Sequence, residues 1–481
     1  MRRTQSAFYP VFDRRAQAMT SVFLVSREQK YSERVRDTKR VSRIMLQQRS
    51  SSMQRLIFAI VLAGLPAFAF AQWPQYLGPN GDSTSPETGL MDQWPADGPP
   101  EVWRIDVGPG FGGAAVEGGE AIILDRELGE ADILRVLDVK TGEEKWRYKY
   151  DAPGRVGFEG SRCTPSVTDT HIFTTGEFGH LYAFDRKTQK VAWSVNIIEK
   201  YPDDDKSDRQ GWGYGMNPLL VGDTVVAACY ADEHPGLIAF DQKTGEVVWE
   251  SENFGDSSMY SSPLLRTIAG VEGIVVRNIK HLFFIDPKTG KTLFKHQCYD
   301  KGKIPITPIT VMPDGMHVFV TQGYEMGSVM LKVTHRGGVF KVEEKWRAIE
   351  GSQIHPAIAI GEHLYINHGE NDTHSKAKRK FAGLACVNPA DGKVVWNTGD
   401  EPFLGRGNLL YADGKIIMQD AEGGMLYLVN PSPDGYKQIS SFKATDAKQK
   451  KAWAPLTLAN GMLIVRDQDE MVCFDIREKV N

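Results

Sequence analysis

One spacing recurs along this chain and restricts what it can fold into: an acidic turn residue followed eight residues later by a large aromatic. It appears as DVKTGEEKW (138–146), DQKTGEVVW (241–249), DPKTGKTLF (286–294) and NPADGKVVW (388–396), and again from Asp185 to Trp193. Glycine stands at the fourth step in four of the five, as Gly142, Gly245, Gly290 and Gly392, and Gln189 is the departure. An Asp or Asn side chain accepts hydrogen bonds from backbone N–H groups just ahead of it and starts a turn. Glycine supplies the positive φ that closes a hairpin with a bulge. Flanking runs such as ILRVLDV and LYAFD alternate and are rich in β-branched and aromatic residues, so they read as strands with the tryptophan on the outgoing one.

The segment TPSVTDTHIFTTGEFGHLYAFDRKTQKVAWSV reads as four short antiparallel strands separated by turns at Thr168-Asp169, at Gly176–Gly179 and at the Asp turn. The aromatic anchors are Trp103, Trp146, Trp193, Trp249, Phe294, Trp346, Trp396 and Phe442, the units ending at Trp346 and Phe442 having longer hairpins. Eight anchors at a mean step of about 48 residues, four strands to each, is the period of a propeller blade. The first anchor, in EVWRIDV, has no inner strands before it, and the last segment, APLTLANGMLIVRDQDEMVCFDI, has no tryptophan strand after it. The two halves complement each other. The expected architecture is all-β, an eight-bladed β-propeller of four-stranded antiparallel blades, with the N-terminal strand completing the last blade and closing the ring.

The D-x-x-T-G-x-x-x-W turn resembles the signature of the PQQ-type propeller repeat, over roughly residues 100–476. That repeat occurs in pyrroloquinoline quinone dehydrogenases and in the BamB-like lipoproteins of outer-membrane barrel assembly, which carry no quinone. The lead WPQYLGPNGDSTSPETGL (73–90) resembles the opening of many exported bacterial propellers of this group. The resemblance implies a fold; one fold hosts many functions.

The net charge of −4 conceals an asymmetry, because residues 1–71 carry 13 Lys and Arg against 4 Asp and Glu. Taking that +9 from −4 leaves residues 72–481 at −13, and an acidic body argues against a nucleic-acid partner. MQRLIFAIVLAGLPAFAFAQW, from Met53, has a short basic start, an apolar run from Leu56 to Phe70 and a small-x-small end at Ala69-Phe70-Ala71. This reads as a secretory signal peptide, too short and proline-interrupted for a membrane span. Residues 1–52 read as a basic extension ahead of the true start, 53–71 as the signal, 72–100 as a lead segment, 101–476 as the propeller and 477–481 as a tail. No lipid-bearing cysteine stands at Ala71 or Gln72, unlike the BamB-type lipoproteins. The five cysteines, Cys163, Cys229, Cys298, Cys386 and Cys473, are far apart in apolar runs and read as buried single thiols. There is no CxxCH for a covalently attached haem.

In a propeller the segments approaching each inner strand surround one mouth of the central channel. Here they contribute Arg162, Tyr214, Asn217, Tyr260, Ser261, Gln353, His355, Arg406, Asn408 and Trp453. Two arginines, aromatics, amides and a histidine at one mouth would suit an anionic or polyhydroxylated ligand. The competing reading is that the arginines and amides satisfy backbone carbonyls at the blade ends. A quinone dehydrogenase would add calcium held by carboxylate and amide oxygens, an Asp base, and a quinone between a tryptophan and a disulfide of adjacent cysteines. Trp453 could supply the stacking floor and Asn217 or Asn408 a calcium ligand. No adjacent cysteines and no paired Asp and Glu are present in the approach segments, so the expectation is no quinone.

Other motifs reduce to structure. His355, His363, His368 and His374, with Glu370 and Asp372, match no zinc spacing and alternate between strand faces. YPDDDKSDR (201–209) reads as a solvated acidic loop and KAKRK (376–380) as a surface loop. Gly290-Lys291-Thr292 resembles the tail of a P-loop, but the upstream glycine is Ile285. There is no G-x-S-x-G and no HExxH. The expected function is therefore an exported, monomeric, non-catalytic binding module of the periplasm or extracellular space, without a metal, whose propeller face takes a protein or a small polar ligand. The alternatives are a quinone-dependent dehydrogenase of alcohols or sugars and a BamB-like scaffold.

Overall fold

The computed structural model describes residues 72–202, 211–229, 233–255, 260–302, 304–349, 351–368, 383–399 and 401–479. The signal peptide, the basic extension, most of the acidic loop 201–209, KAKRK and the Glu370, Asp372 and His374 cluster lie outside them.

The chain is an eight-bladed β-propeller: eight four-stranded antiparallel sheets, each following the chain from inner to outer strand. Blade 1 comprises Ala115–Glu117, Glu120–Glu127, Gly129–Asp138 and Glu144–Gly154, and blades 2 to 7 repeat that pattern with inner strands beginning at Ser166, Leu219, Leu264, Thr310, Ile358 and Leu409. Blade 8 takes Thr457–Ala459, Met462–Arg466 and Glu470–Asp475 from the C-terminal end and its outer strand, Glu101–Asp106, from the N-terminal end. The one described helix is the single turn Ile197–Lys200, capped by the Asn196 side chain.

The Asp turn forms as its chemistry dictates. Asp241 Oδ1 accepts from Lys243 N and Thr244 N at 2.9 Å each, and Asp286 Oδ1 from Lys288 N at 2.8 Å and Thr289 N at 3.0 Å. The glycine at the fourth step has φ of +71° to +74° and a register shift follows it in each blade. Its second role lies between blades. A Cβ at Gly142, Gly245, Gly290 or Gly392 would fall 2.5–2.6 Å from the ring of Trp103, Trp193, Trp249 or Trp346, each on the outer strand of the preceding blade. Those indoles each donate to the carbonyl one residue past the turn Asp or Asn, at Val139, Gln242, Pro287 and Pro389. The anchor thus fills the blade interface and satisfies its one polar atom there.

The remaining anchors keep the site with other partners. Phe294 packs on Phe340 of the blade 5 hairpin, and Trp396 donates to Ser432 O at 2.9 Å. Phe442 meets Trp94 edge-on at 5.2 Å and covers Gly98, so the lead segment supplies the glycine for this junction. Trp146 packs with Val167, Ile172 and Phe184 of blade 2, where Gln189, at φ +58°, replaces glycine, and its indole has no hydrogen bond among the described residues.

The lead segment crosses the channel. Trp73 pairs with Val116 of blade 1, and Pro74 O accepts Val167 N of blade 2 at 2.8 Å. Arg266 of blade 4 grips the Asn80 and Gly81 carbonyls, and Thr84 pairs with Tyr411 of blade 7. Trp73 and Leu77 are buried by this path. All five cysteines are buried and none is in a disulfide, and burial pushes the Cys163 and Cys473 thiols up to about 12.

Candidate functional site at the channel mouth

A cavity of about 150 Å³ lies where the approach segments converge. Much of its wall has a two-residue period: Gly215 and Asn217, Tyr260 and Ser262, Ile304 and Ile306, Arg406 and Asn408, and Trp453 and Pro455 are residues i and i+2 of five approach segments, while the blade 6 segment contributes the adjacent Gln353 and Ile354. Phe111, Phe158, Arg162, Trp212, Tyr324, Gln353, Ile354 and, from the lead segment, Tyr76 complete it.

Seven of the ten residues expected at the mouth line this cup: Arg162, Asn217, Tyr260, Gln353, Arg406, Asn408 and Trp453. Three lie off it. Tyr214 is buried in the core between blades 2 and 3, and Ser261 is turned toward Thr307 O. Each is one step out of phase with lining neighbours, Gly215 for the first and Tyr260 and Ser262 for the second. His355 points to the lead segment, with Nε2 2.9 Å from Ser83 Oγ and Nδ1 2.8 Å from Pro356 O. Full burial lowers its pKa to about 4, so the ring is neutral at pH 7. The two-residue parity of each strand was the signal that separates the lining residues from their neighbours. Phe111, Phe158, Trp212, Tyr324 and Tyr76 were missed because loops and the lead segment carry them in.

Much of the polar chemistry joins blades together. Gly113 N donates to Thr164 Oγ1 at 3.0 Å, Thr164 N to Asn217 Oδ1 at 2.6 Å, and Asn217 Nδ2 to Ser262 Oγ at 2.8 Å. Thr307 Oγ1 donates to Ser352 O at 2.9 Å, and Asn408 Nδ2 lies within reach of the Trp453 and Ala454 carbonyls. Arg162 donates to the carbonyls of Gly157, Phe158 and Gly160. Behind it Glu177 accepts Gly160 N at 2.6 Å and faces both Arg162 and the buried Arg126. Burial raises the Glu177 pKa and the two arginines oppose that rise.

The open face of the cup is aromatic. Trp453 stacks on Phe111 at 5.1 Å, and Phe158 lies 5.6 Å from Trp453. Arg406 sits 4.7 Å over Trp453, Arg162 5.4 Å over Phe111 and Lys451 5.4 Å over Phe158. Arg406 Nε also donates to Gln353 Oε1 at 2.7 Å, and Gln353 Nε2 to Tyr324 OH at 2.7 Å. Phe158 is 46% exposed and held at φ +55°, a costly conformation for an aromatic residue. Among the described residues, no lining residue carries a carboxylate.

These residues do not fit a calcium-held quinone. Asn217 Oδ1 accepts Thr164 N, the described lining offers no carboxylate as calcium ligand or base, and the cysteines stand apart.

Comparison with known proteins finds similarity to both kinds of propeller. Quinoprotein alcohol dehydrogenase PedH of Pseudomonas putida is 20% identical over 70% of this chain and 50% of its own length. A quinone alcohol dehydrogenase subunit of Komagataeibacter europaeus is 24% identical over 31% of this chain and 21% of its own length. The chain thus spans half or less of these dehydrogenases. Among solved structures, quinohemoprotein alcohol dehydrogenase of Comamonas testosteroni has a TM-score of 0.59 at 12% identity, covering 85% of this chain and 81% of that one. BamB of Moraxella catarrhalis has a TM-score of 0.54 at 14% identity, covering 79% of this chain and 99% of that one. At these identities the structural likeness speaks for the fold alone. The family model described as outer membrane protein assembly factor BamB matches residues 130–398, more than half of the sequence, and the chain belongs to that family.

Proposed function

We propose that the chain is an exported, non-catalytic binding module of the cell envelope whose channel-mouth cup takes an anionic or polyhydroxylated ligand, or such a group on a partner protein. The observation that carries this reading is the composition of the cup: seven aromatic rings, three of them overlain by Arg162, Arg406 and Lys451, and no carboxylate among the described residues of its wall. Aromatic faces with cations and amides bind polar rings and anions. Acid–base turnover needs a positioned proton acceptor, which such a wall lacks. The quinoprotein reading has the dehydrogenase relatives in its favour, and the BamB-like scaffold reading has the family match.

The test is an array of acidic and neutral glycans and envelope protein fractions probed with the full chain, alongside Trp453→Ala and Arg406→Ala. The reading predicts a ligand class whose binding falls about tenfold or more in both variants. Binding that ignores both variants would move the function to another face.

A further inference from the structure

The inner strand of each blade has one edge bonded to its own sheet and one facing the channel. In an antiparallel ladder the residue one step back from the hydrogen-bonded pair beside the turn directs its N–H and C=O away from the sheet. In blades 1, 2 and 7 that residue is Val116, Val167 or Tyr411, and the chain's own lead segment pairs with each. Trp73 exchanges bonds of 2.9 and 2.8 Å with Val116, and Pro74 O reaches Val167 N of the adjacent blade. Tyr411 N donates to Ser83 O and Ser85 N to Tyr411 O, both at 2.9 Å. The equivalent residues of blades 5 and 6 are Val311 and Ala359, facing Val318 and Leu364 in their ladders. Among the described residues, no backbone segment pairs with their channel side.

Val311 and Ala359 line a second cavity, about 520 Å³, bounded by the lead segment on one side and the inner strands of blades 3 to 6 on the other. It is larger than the mouth cup and within the size range of ligand pockets. Its wall adds Leu220 and Leu265, half-buried side chains from blades 3 and 4. Its one acid and one base, Asp82 and Arg266, offset each other, and Arg266 is committed to backbone carbonyls.

We propose that this cleft binds an extended, uncharged peptide segment of a partner protein, added as a short strand across Val311 and Ala359 as the lead segment is added across Val116 and Val167. The affinity comes from main-chain pairing at an open sheet edge, and a wall whose one acid and one base offset each other favours uncharged side chains. The site is separate from the mouth cup and stands or falls independently of it.

The experiment pans the full chain against phage-displayed random dodecapeptides and titrates the enriched sequences as synthetic peptides by fluorescence anisotropy. Ala359→Pro removes one channel-facing N–H from an edge strand and leaves the blade's own ladder intact. It is expected to weaken binding about tenfold or more, as is N-methylation of alternate peptide amides, while Trp453→Ala leaves binding unchanged. Val311→Pro, which removes the other channel-facing N–H, is expected to give the same loss, N-methylation of the peptide reads the pairing without altering the protein, and thermal melting checks both folds. Peptides that bind Ala359→Pro and Val311→Pro as tightly as the parent, binding indifferent to N-methylation, or a selection that enriches no peptide would overturn the proposal.

Discussion

Trp249 of blade 3 packs against Gly290 of blade 4 so closely that a Cβ at Gly290 would fall 2.5 Å from the indole, whose N–H donates to Pro287 O at 3.1 Å. One glycine therefore serves two demands: the positive φ of the turn and the seat of the neighbouring blade's anchor. Gly290→Ala forces an alanine to φ +71° and displaces the ring. The left-handed backbone costs about 1–2 kcal/mol and the overlap about 1–3 kcal/mol. The expected loss is therefore about 2–5 kcal/mol, read as a lower urea midpoint at unchanged slope.

Gln189 is the natural converse. It holds φ +58° at the position where the other turns use glycine, and Trp146 lacks the indole bond that its counterparts make. Gln189→Gly is expected to stabilise the protein by about 0.5–1 kcal/mol through relief of the backbone alone. Docking of Trp146 would add a blue shift in tryptophan emission. A lower melting temperature would mean that the Gln189 side chain makes contacts worth more than the strain.

The repeat made the fold legible because an eight-residue step with a glycine can serve only one geometry, and all eight anchors stand at blade junctions. What the spacing did not reveal was the junction at Phe442, where Gly98 sits in the lead segment, far away in sequence. The mouth was legible in part. Arg406 and Trp453 were found from chain position, but Tyr214 and Ser261 were assigned to the wrong side by one residue of strand parity. His355 was misplaced because its partner, Ser83, arrives from the lead segment. Phe158 and Trp212 lie in the approach segments but were not singled out, since irregular loops place them and loops carry no period.

The lead segment should loosen in acid. His355 is buried as a neutral ring with its pKa near 4, against about 6.5 in an unfolded chain. Its contribution is full above about pH 6.5 and is lost as pH falls toward 4, up to about 3 kcal/mol. Urea midpoints at pH 7 and pH 4.5 should therefore differ more in the parent than in His355→Gln. Equal differences would place the acid sensitivity elsewhere. Glu177 and Asp132, whose pKa values burial raises, act with the opposite sign, losing their contribution as pH rises.

Two lining residues should separate cleanly. Asn217 bonds blade 2 through Thr164 and blade 4 through Ser262 while 6% exposed, so Asn217→Ala leaves buried partners unsatisfied and is expected to cost about 2–3 kcal/mol. Trp453, partly buried at the open face, should cost less stability as alanine and more binding. Denaturation and ligand titration of both variants check this; equal stability losses would make Trp453 a packing residue.

The most direct measurement for a binding rather than catalytic mouth is titration of the full chain with pyrroloquinoline quinone and Ca²⁺, followed by absorbance and calorimetry. A wall without carboxylates predicts no calcium-dependent, saturable uptake up to millimolar quinone. Uptake of about one quinone per chain that requires Ca²⁺ and is lost in Trp453→Ala would contradict it and assign the cup to dehydrogenase chemistry.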